Sequence, residues 1–178
     1  MEQETAIALI GAAVTDVGGT WADLGAGSGT FTLALASLLG PTGVVYAVDR
    51  DASALRALSR ASARASASAP VRTIVGDFTE PVELPPLDGV VLANALHFVP
   101  YADQARVLGE IVTRVERRGP IVVVEYERRT ANPYVPFPIS FDALGALAAA
   151  CGLEAPRLLA TQPSRFRGSI YSAIVRRR

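Results

Sequence analysis

Short runs rich in Val and Ile recur along this chain, each separated from the next by a stretch of helical spacing. That alternation constrains the fold more than any other feature. Extended runs at Thr20–Leu24, Val44–Val48, Val71–Val75, Gly89–Ala93 and Ile121–Val124 are almost continuously apolar. Strands of that kind belong to a parallel sheet covered by helices on both faces. The helices are expected at Phe31–Leu39, Ala52–Ala69, Tyr101–Val115 and Phe141–Ala150. Gly40-Pro41-Thr42-Gly43 stops the first helix and turns the chain, and Ala69-Pro70 closes the second. The Ser59–Ala69 stretch, SRASARASASA, resembles low complexity, but with Leu55 and Leu58 just upstream it reads as a crossover helix exposed on one face. A loop with three prolines, Asn132 to Pro138, follows the fifth strand, and two last extended runs lie at Arg157–Thr161 and Ile170–Val175. No repeat or linker divides the chain, so residues 1–178 are expected to form one α/β domain.

Composition removes several function classes. Half of the 178 residues are hydrophobic, enough for an ordinary core without disulfides or a structural metal. Cys151 and His97 are each the only residue of their type, so no multi-ligand Cys/His metal site is available. Every basic residue is Arg. Without lysine there is no internal Schiff base and no Walker A lysine, which excludes pyridoxal enzymes and P-loop NTPases. The 17 basic and 17 acidic residues balance, so the total charge favours neither nucleic acid nor an anionic membrane as partner. The start, MEQETAIALIGAAV, lacks a basic leader, and no apolar run spans a bilayer; a cytoplasmic protein is expected.

The polar groups that interrupt the pattern gather where the strands end. Trp21 to Gly29 places a strand, a glycine-rich turn and a helix start in series. Glycine there permits positive φ and close approach of a ligand, and amides at a helix start attract anions. The pattern is G-x-G-x-G over Gly25, Ala26, Gly27, Ser28 and Gly29, with Thr30 next, and not the G-x-G-x-x-G of a dinucleotide site. Asp49 ends the second strand, where a carboxylate can accept from ribose hydroxyls or cap the next helix, a task that Asp51 or Ser53 could also fill. Asp77 and Phe78 end the third strand; they can meet an adenine amino group and its ring, or serve as a turn residue beside a core aromatic. Asn94 ends the fourth strand, and Glu125 and Tyr126 end the fifth. All lie at carboxyl ends of parallel strands, the edge where open α/β sheets bind ligands.

This series resembles the class I S-adenosylmethionine (SAM) dependent methyltransferases along essentially the whole chain. The resemblance implies a Rossmann-like sandwich with a mostly parallel seven-stranded sheet whose last strand is antiparallel. It implies SAM as cofactor, with S-adenosylhomocysteine as product. It assigns cofactor binding to Asp23, Gly25, Ala26, Gly27 and Gly29 in the first motif, and to Asp49 with Arg50 at the ribose. Asp77 and Phe78 fall at the adenine position and Asn94 at the floor of the site. Gly119-Pro120 stands where the family usually has Gly-Gly. Asn94-Ala95-Leu96-His97 is not the Asn/Asp-Pro-Pro-Tyr/Phe of amino-directed enzymes, and no Pro-Cys nucleophile is present. What remains resembles the broad group that methylates small molecules; an RNA or protein methyltransferase and a non-catalytic SAM-binding module are the alternatives.

Two residues are candidates for the chemistry. His97 follows the cofactor edge and has the intrinsic basicity of a general base, or else packs beside Phe98 and only shapes the pocket. Glu125 can orient an acceptor, or pair with an arginine such as Arg128. The acceptor is expected against the N-terminal segment and the Tyr134–Phe137 loop, in a pocket that is open, lightly covered or completed by a second subunit of a homodimer. Cys151 is expected to be a buried small hydrophobe. Arg176–Arg178 reads as a solvated tail, and Arg128-Arg129 as either a contact for an acidic substrate or an exposed turn.

Overall fold

The computed structural model describes residues 2–64, 68–164 and 168–178. Seven strands form one sheet: β1 (Gly19–Leu24), β2 (Gly43–Asp49), β3 (Val71–Val75), β4 (Gly89–Ala93), β5 (Ile121–Tyr126), β6 (Arg157–Pro163) and β7 (Ser169–Val175). Their order is β3-β2-β1-β4-β5-β7-β6. β1 to β5 pair in parallel, whereas β7 runs antiparallel to both β5 and β6. The expected α/β sandwich with a reversed last strand is the observed one. Because the order reverses between β1 and β4, the chain leaves these two neighbours toward opposite faces and opens a crevice at their carboxyl ends.

Side-chain alternation splits the core into two layers. Trp21, Val45, Val91, Val122 and Ile174 face α1 (Gln3–Ile10) and α2 (Thr30–Leu39). Ala22, Leu24, Val90, Leu92, Val123 and Tyr171 face α4 (Tyr101–Arg114) and α5 (Phe141–Ala150). Strands buried on both sides account for the near-continuous apolar runs. α3 (Ala52–Ser62) lies on the α2 side, with Leu55 and Leu58 against Ala26 and Ala47.

Two elements differ from the sequence reading. α3 ends at Ser62 and not at Ala69; Ala63 and Arg64 turn away, and 65–67 lie outside the described residues. Beyond Leu58 the helix offers no large apolar group to bury, and the Ser62 hydroxyl donates back to the Ser59 carbonyl. The N-terminal segment, given no element from sequence, forms α1 and a 3-10 turn at Gly11–Ala13. Ala6, Leu9 and Ile10 are its fully buried face, and the Ser172 hydroxyl on β7 donates to the Leu9 carbonyl at 2.6 Å.

Candidate active site

A cleft of about 840 Å³ opens along the carboxyl edge. Each parallel strand delivers part of it: Gly25–Ser28 after β1, Asp49 and Arg50 after β2, Gly76–Thr79 after β3, Asn94 and Ala95 after β4, and Tyr126 at the end of β5. The turn Leu96–Phe98 carries Phe98 into the wall, with Val99 and Pro100 beside it. Glu2 and Thr5 reach it from α1, and Pro163, Ser164 and Ile170 from the β6–β7 hairpin.

The glycine loop is held by its own backbone. Gly25 and Ala26 both donate N–H to the Val48 carbonyl, and Gly29 donates to the Ala26 carbonyl. Gly27 donates to Asp49 Oδ2 at 2.7 Å, and Asp51 N–H to Asp49 Oδ1 at 2.8 Å. The N–H groups of Gly25, Ala26, Gly27 and Gly29 are therefore committed within the protein, which leaves the start of α2 at Thr30 as the part of this turn that can meet an anionic group. Positive φ at Gly25, Gly27 and Gly29 makes the tight turn. A Cβ at Gly25 would lie 2.6 Å from Ala95 Cβ and one at Gly29 2.3 Å from Leu58 Cδ1, whereas one at Gly27 would meet nothing within 4 Å. Gly27 is the loop glycine that borders open space at the cleft.

Acidic groups surround the loop. Asp23 is fully buried, on the α2 face of β1, and its Oδ2 accepts from the Thr32 hydroxyl at 2.6 Å. Burial pushes its pKa up to about 6; the Thr32 hydrogen bond opposes the rise, and the Asp49 charge adds to it. Asp23 Oδ1 and Asn94 Oδ1 are both buried without a hydrogen-bond partner among the described residues. Asn94 also holds φ 53, a left-handed conformation that asparagine tolerates, while its N–H donates to the Val124 carbonyl. Unsatisfied buried oxygens are costly; Asn94 lines the cleft, so its oxygen suits a ligand that brings a donor, whereas Asp23 contributes only its charge from behind the cleft wall.

The ribose and adenine candidates are in place as well. Asp49 is not the cap of α3; Asp51 is, accepting from the Ser53 and Ala54 N–H groups. Each Asp49 oxygen keeps a further acceptor site. Asp77 Oδ1 accepts from the Thr79 N–H and hydroxyl. The Thr79 N–H is the largest cause holding its pKa below the usual carboxylate value, with the Thr79 hydroxyl and the Arg50 charge adding. Phe78 lies beside the loop, with Cε1 3.5 Å from where a Gly25 Cβ would stand. Of the expected cofactor residues, all but Asp23 and Gly29 line the cleft; Asp23 is buried on the α2 side and Gly29 packs against Leu58.

The candidates for chemistry are placed differently. His97 is 2 % exposed and does not line the cleft. Its Nδ1 lies 2.5 Å from Glu125 Oε2, and its N–H donates to Glu125 Oε1 at 3.1 Å. Glu125, fully buried, thus partners His97 and not Arg128, whose Nε–H goes to the Thr130 carbonyl. Arg129 pairs at the surface with Asp142, away from the cleft. Nor does the Tyr134–Phe137 loop line the cleft: Tyr134 is exposed, and Phe137 meets Tyr101 edge-on. The arginine tail is tied down, since Arg176 donates to the Arg118 carbonyl and Arg178 to that of Leu153. Cys151 is only half-buried; its thiol donates to the Ala105 carbonyl, and desolvation raises its pKa. Thr32, Phe98 and Ile170 joined the site unannounced, because their places depend on how helix, turn and hairpin pack.

This fold and edge chemistry define a ligand-binding α/β enzyme domain, and comparison with known proteins makes the class specific. The profile described as "Methyltransferase domain" matches residues 22–119, more than half of the chain, and spans β1 to the turn before β5. The chain belongs to that methyltransferase-domain family. Sequence comparison matches no curated protein. Among solved structures, it is similar to a SAM-dependent methyltransferase of Methanosarcina mazei (15% identity, 90% of this chain and 92% of that chain covered, TM-score 0.70). Another is 1,6-didemethyltoxoflavin-N1-methyltransferase of Burkholderia thailandensis, with its substrate and S-adenosylhomocysteine bound (19% identity, 98% and 77% covered, TM-score 0.77). A third is the arsenic(III) methyltransferase of Chlamydomonas reinhardtii (23% identity, 90% covered, TM-score 0.71), of which the chain spans 63%.

Proposed function

We propose that this chain is a SAM-dependent methyltransferase acting on a small-molecule acceptor. One observation carries the cofactor reading: the unpartnered Asn94 oxygen and the Asp49 carboxylate line the cleft on either side of the glycine loop, with the buried Asp23 carboxyl behind them. A phosphate-bearing dinucleotide would meet the Asp49 and Asp77 carboxylates there. A ligand with ammonium and sulfonium charges meets acceptors. SAM, when bound, supplies a methyl group on an activated sulfonium carbon. Asp49 would hold the ribose hydroxyls, Asp77 and Phe78 the adenine, and Asn94 the amino-acid end, with Asp23 charging that end from behind. The chain's remaining task is to align the acceptor and exclude water.

The small-molecule reading rests on the cleft, which the β6–β7 hairpin and α1 narrow, and on neighbours such as the toxoflavin enzyme. His97 and Glu125 act from behind the wall as positioning residues. The test is calorimetric titration with SAM and with NAD, followed by turnover against a metabolite extract. SAM is expected to bind and NAD not; Asp49→Ala is expected to weaken SAM at least tenfold. NAD binding without a SAM response would overturn the reading.

A further inference from the structure

We propose, resting on the methyltransferase reading, that Phe98 and Tyr126 form the acceptor subsite and that it takes a flat aromatic ring. The cleft has two halves. The ends of β2 and β3 supply the carboxylates Asp49 and Asp77, and Glu2 adds a third from the chain start, whereas the ends of β4 and β5 and the hairpin supply Phe98, Val99, Pro100, Tyr126 and Ile170. These five residues carry no formal charge. Phe98 is 52 % exposed in a place where a large apolar ring gains nothing unless something covers it.

Both rings rest on one buried platform. The His97 ring lies 4.4 Å from the Phe98 centroid and 6.1 Å from that of Tyr126, tilted by 48° and 52°. Glu125 grips His97 through both its ring and its backbone, and the His97 carbonyl accepts from Phe137 N–H. The wall is therefore preformed. Preformed aromatic faces select partners by ring geometry as well as by area, and two ring contacts correspond to roughly tenfold in affinity over a saturated ligand of the same outline.

The test uses 2-naphthol and its saturated counterpart decahydro-2-naphthol, titrated by ligand-observed NMR into protein with and without saturating S-adenosylhomocysteine. About tenfold tighter binding of 2-naphthol is expected. Phe98→Leu and Tyr126→Leu should each reduce that preference about threefold, and the double variant should remove it. S-adenosylhomocysteine affinity should stay within about twofold, and Val17→Ser, exposed ahead of β1, should leave everything unchanged. Melting curves verify folding, and if the double variant does not fold the single variants decide. Equal binding of the two probes, or a preference that survives both single substitutions, overturns the inference. Protein that ignores SAM and S-adenosylhomocysteine overturns the cofactor reading instead, and the cofactor-free titrations still decide the wall.

Discussion

Two buried acids carry the residue-scale consequences. Asp23 has a folded pKa of about 6 against 3.8 for a free side chain. The folded state then binds its proton more tightly, so the ligand-free protein loses stability as pH rises from about 4 through about 6. The loss approaches roughly 3 kcal/mol from this group alone. A cation bound nearby favours the charged form and reverses the sign. SAM affinity is therefore expected to fall as pH drops below about 6, by up to tenfold per pH unit. Calorimetry at pH 5, 6 and 7 checks this, and Asp23→Asn should flatten the dependence. The second acid is Glu125. His97→Ala leaves it buried without its ring partner and is expected to cost about 3–5 kcal/mol in denaturant unfolding. His97→Gln, which keeps a donor, should restore much of that. It should also leave the pH profile of kcat/KM unchanged in shape, because the imidazole sits behind the wall and not at the acceptor.

At the scale of elements, the loop glycines separate folding from binding. Gly29→Ala forces a left-handed alanine onto Leu58 and is expected to cost several kcal/mol, read as a lower Tm, since Leu58 anchors α3. Gly27→Ala meets no protein atom, so its stability loss should stay near 1 kcal/mol. Because Gly27 lines the cleft, the added methyl group is expected to crowd the cofactor, and SAM affinity should fall at least tenfold by calorimetry. α1 is tied to the sheet by the Ser172 hydroxyl and brings Glu2 and Thr5 to the cleft. Ser172→Ala is expected to cost about 1–3 kcal/mol by leaving the Leu9 carbonyl unpartnered.

For the whole molecule, the edge where five parallel strands end holds the candidate ligand site, and the buried oxygens without a partner among the described residues lie toward it. Filling it should stabilise the fold cooperatively: SAM at 100 times its Kd adds about 2.7 kcal/mol, seen as a rise in Tm that NAD does not produce. No helix among the described residues is long and apolar enough to cross a membrane. Part of this organisation was legible beforehand. Continuous apolar runs belong to strands covered on both faces, and glycine, Asp49, Asp77 and Asn94 mark the ends of those strands because polar groups there have no helix to bury them. α1 turns only three residues inward, too few for a periodic signal, and alanine and serine continue the helical pattern beyond Ser62 without packing to hold it.

Residue type and order determined by themselves that the chain is a mostly parallel α/β sandwich, and that its G-x-G-x-G loop and following acids fall at the carboxyl ends of its strands. Those facts are local: periodicity, turn chemistry and spacing along the chain express them. Only tertiary structure decided what each loop group is free to do. The glycine amides are committed to Val48, Asp49 and Ala26, so the loop is a frame that holds Asp49 and Gly27 at the cleft. Tertiary structure likewise withdrew His97 to Glu125 and put Phe98 and Tyr126 in front of it. The reason is physical: hydrogen-bond partners and burial arise between residues far apart in sequence, and no spacing within the chain encodes which of two competing partners a buried group will find.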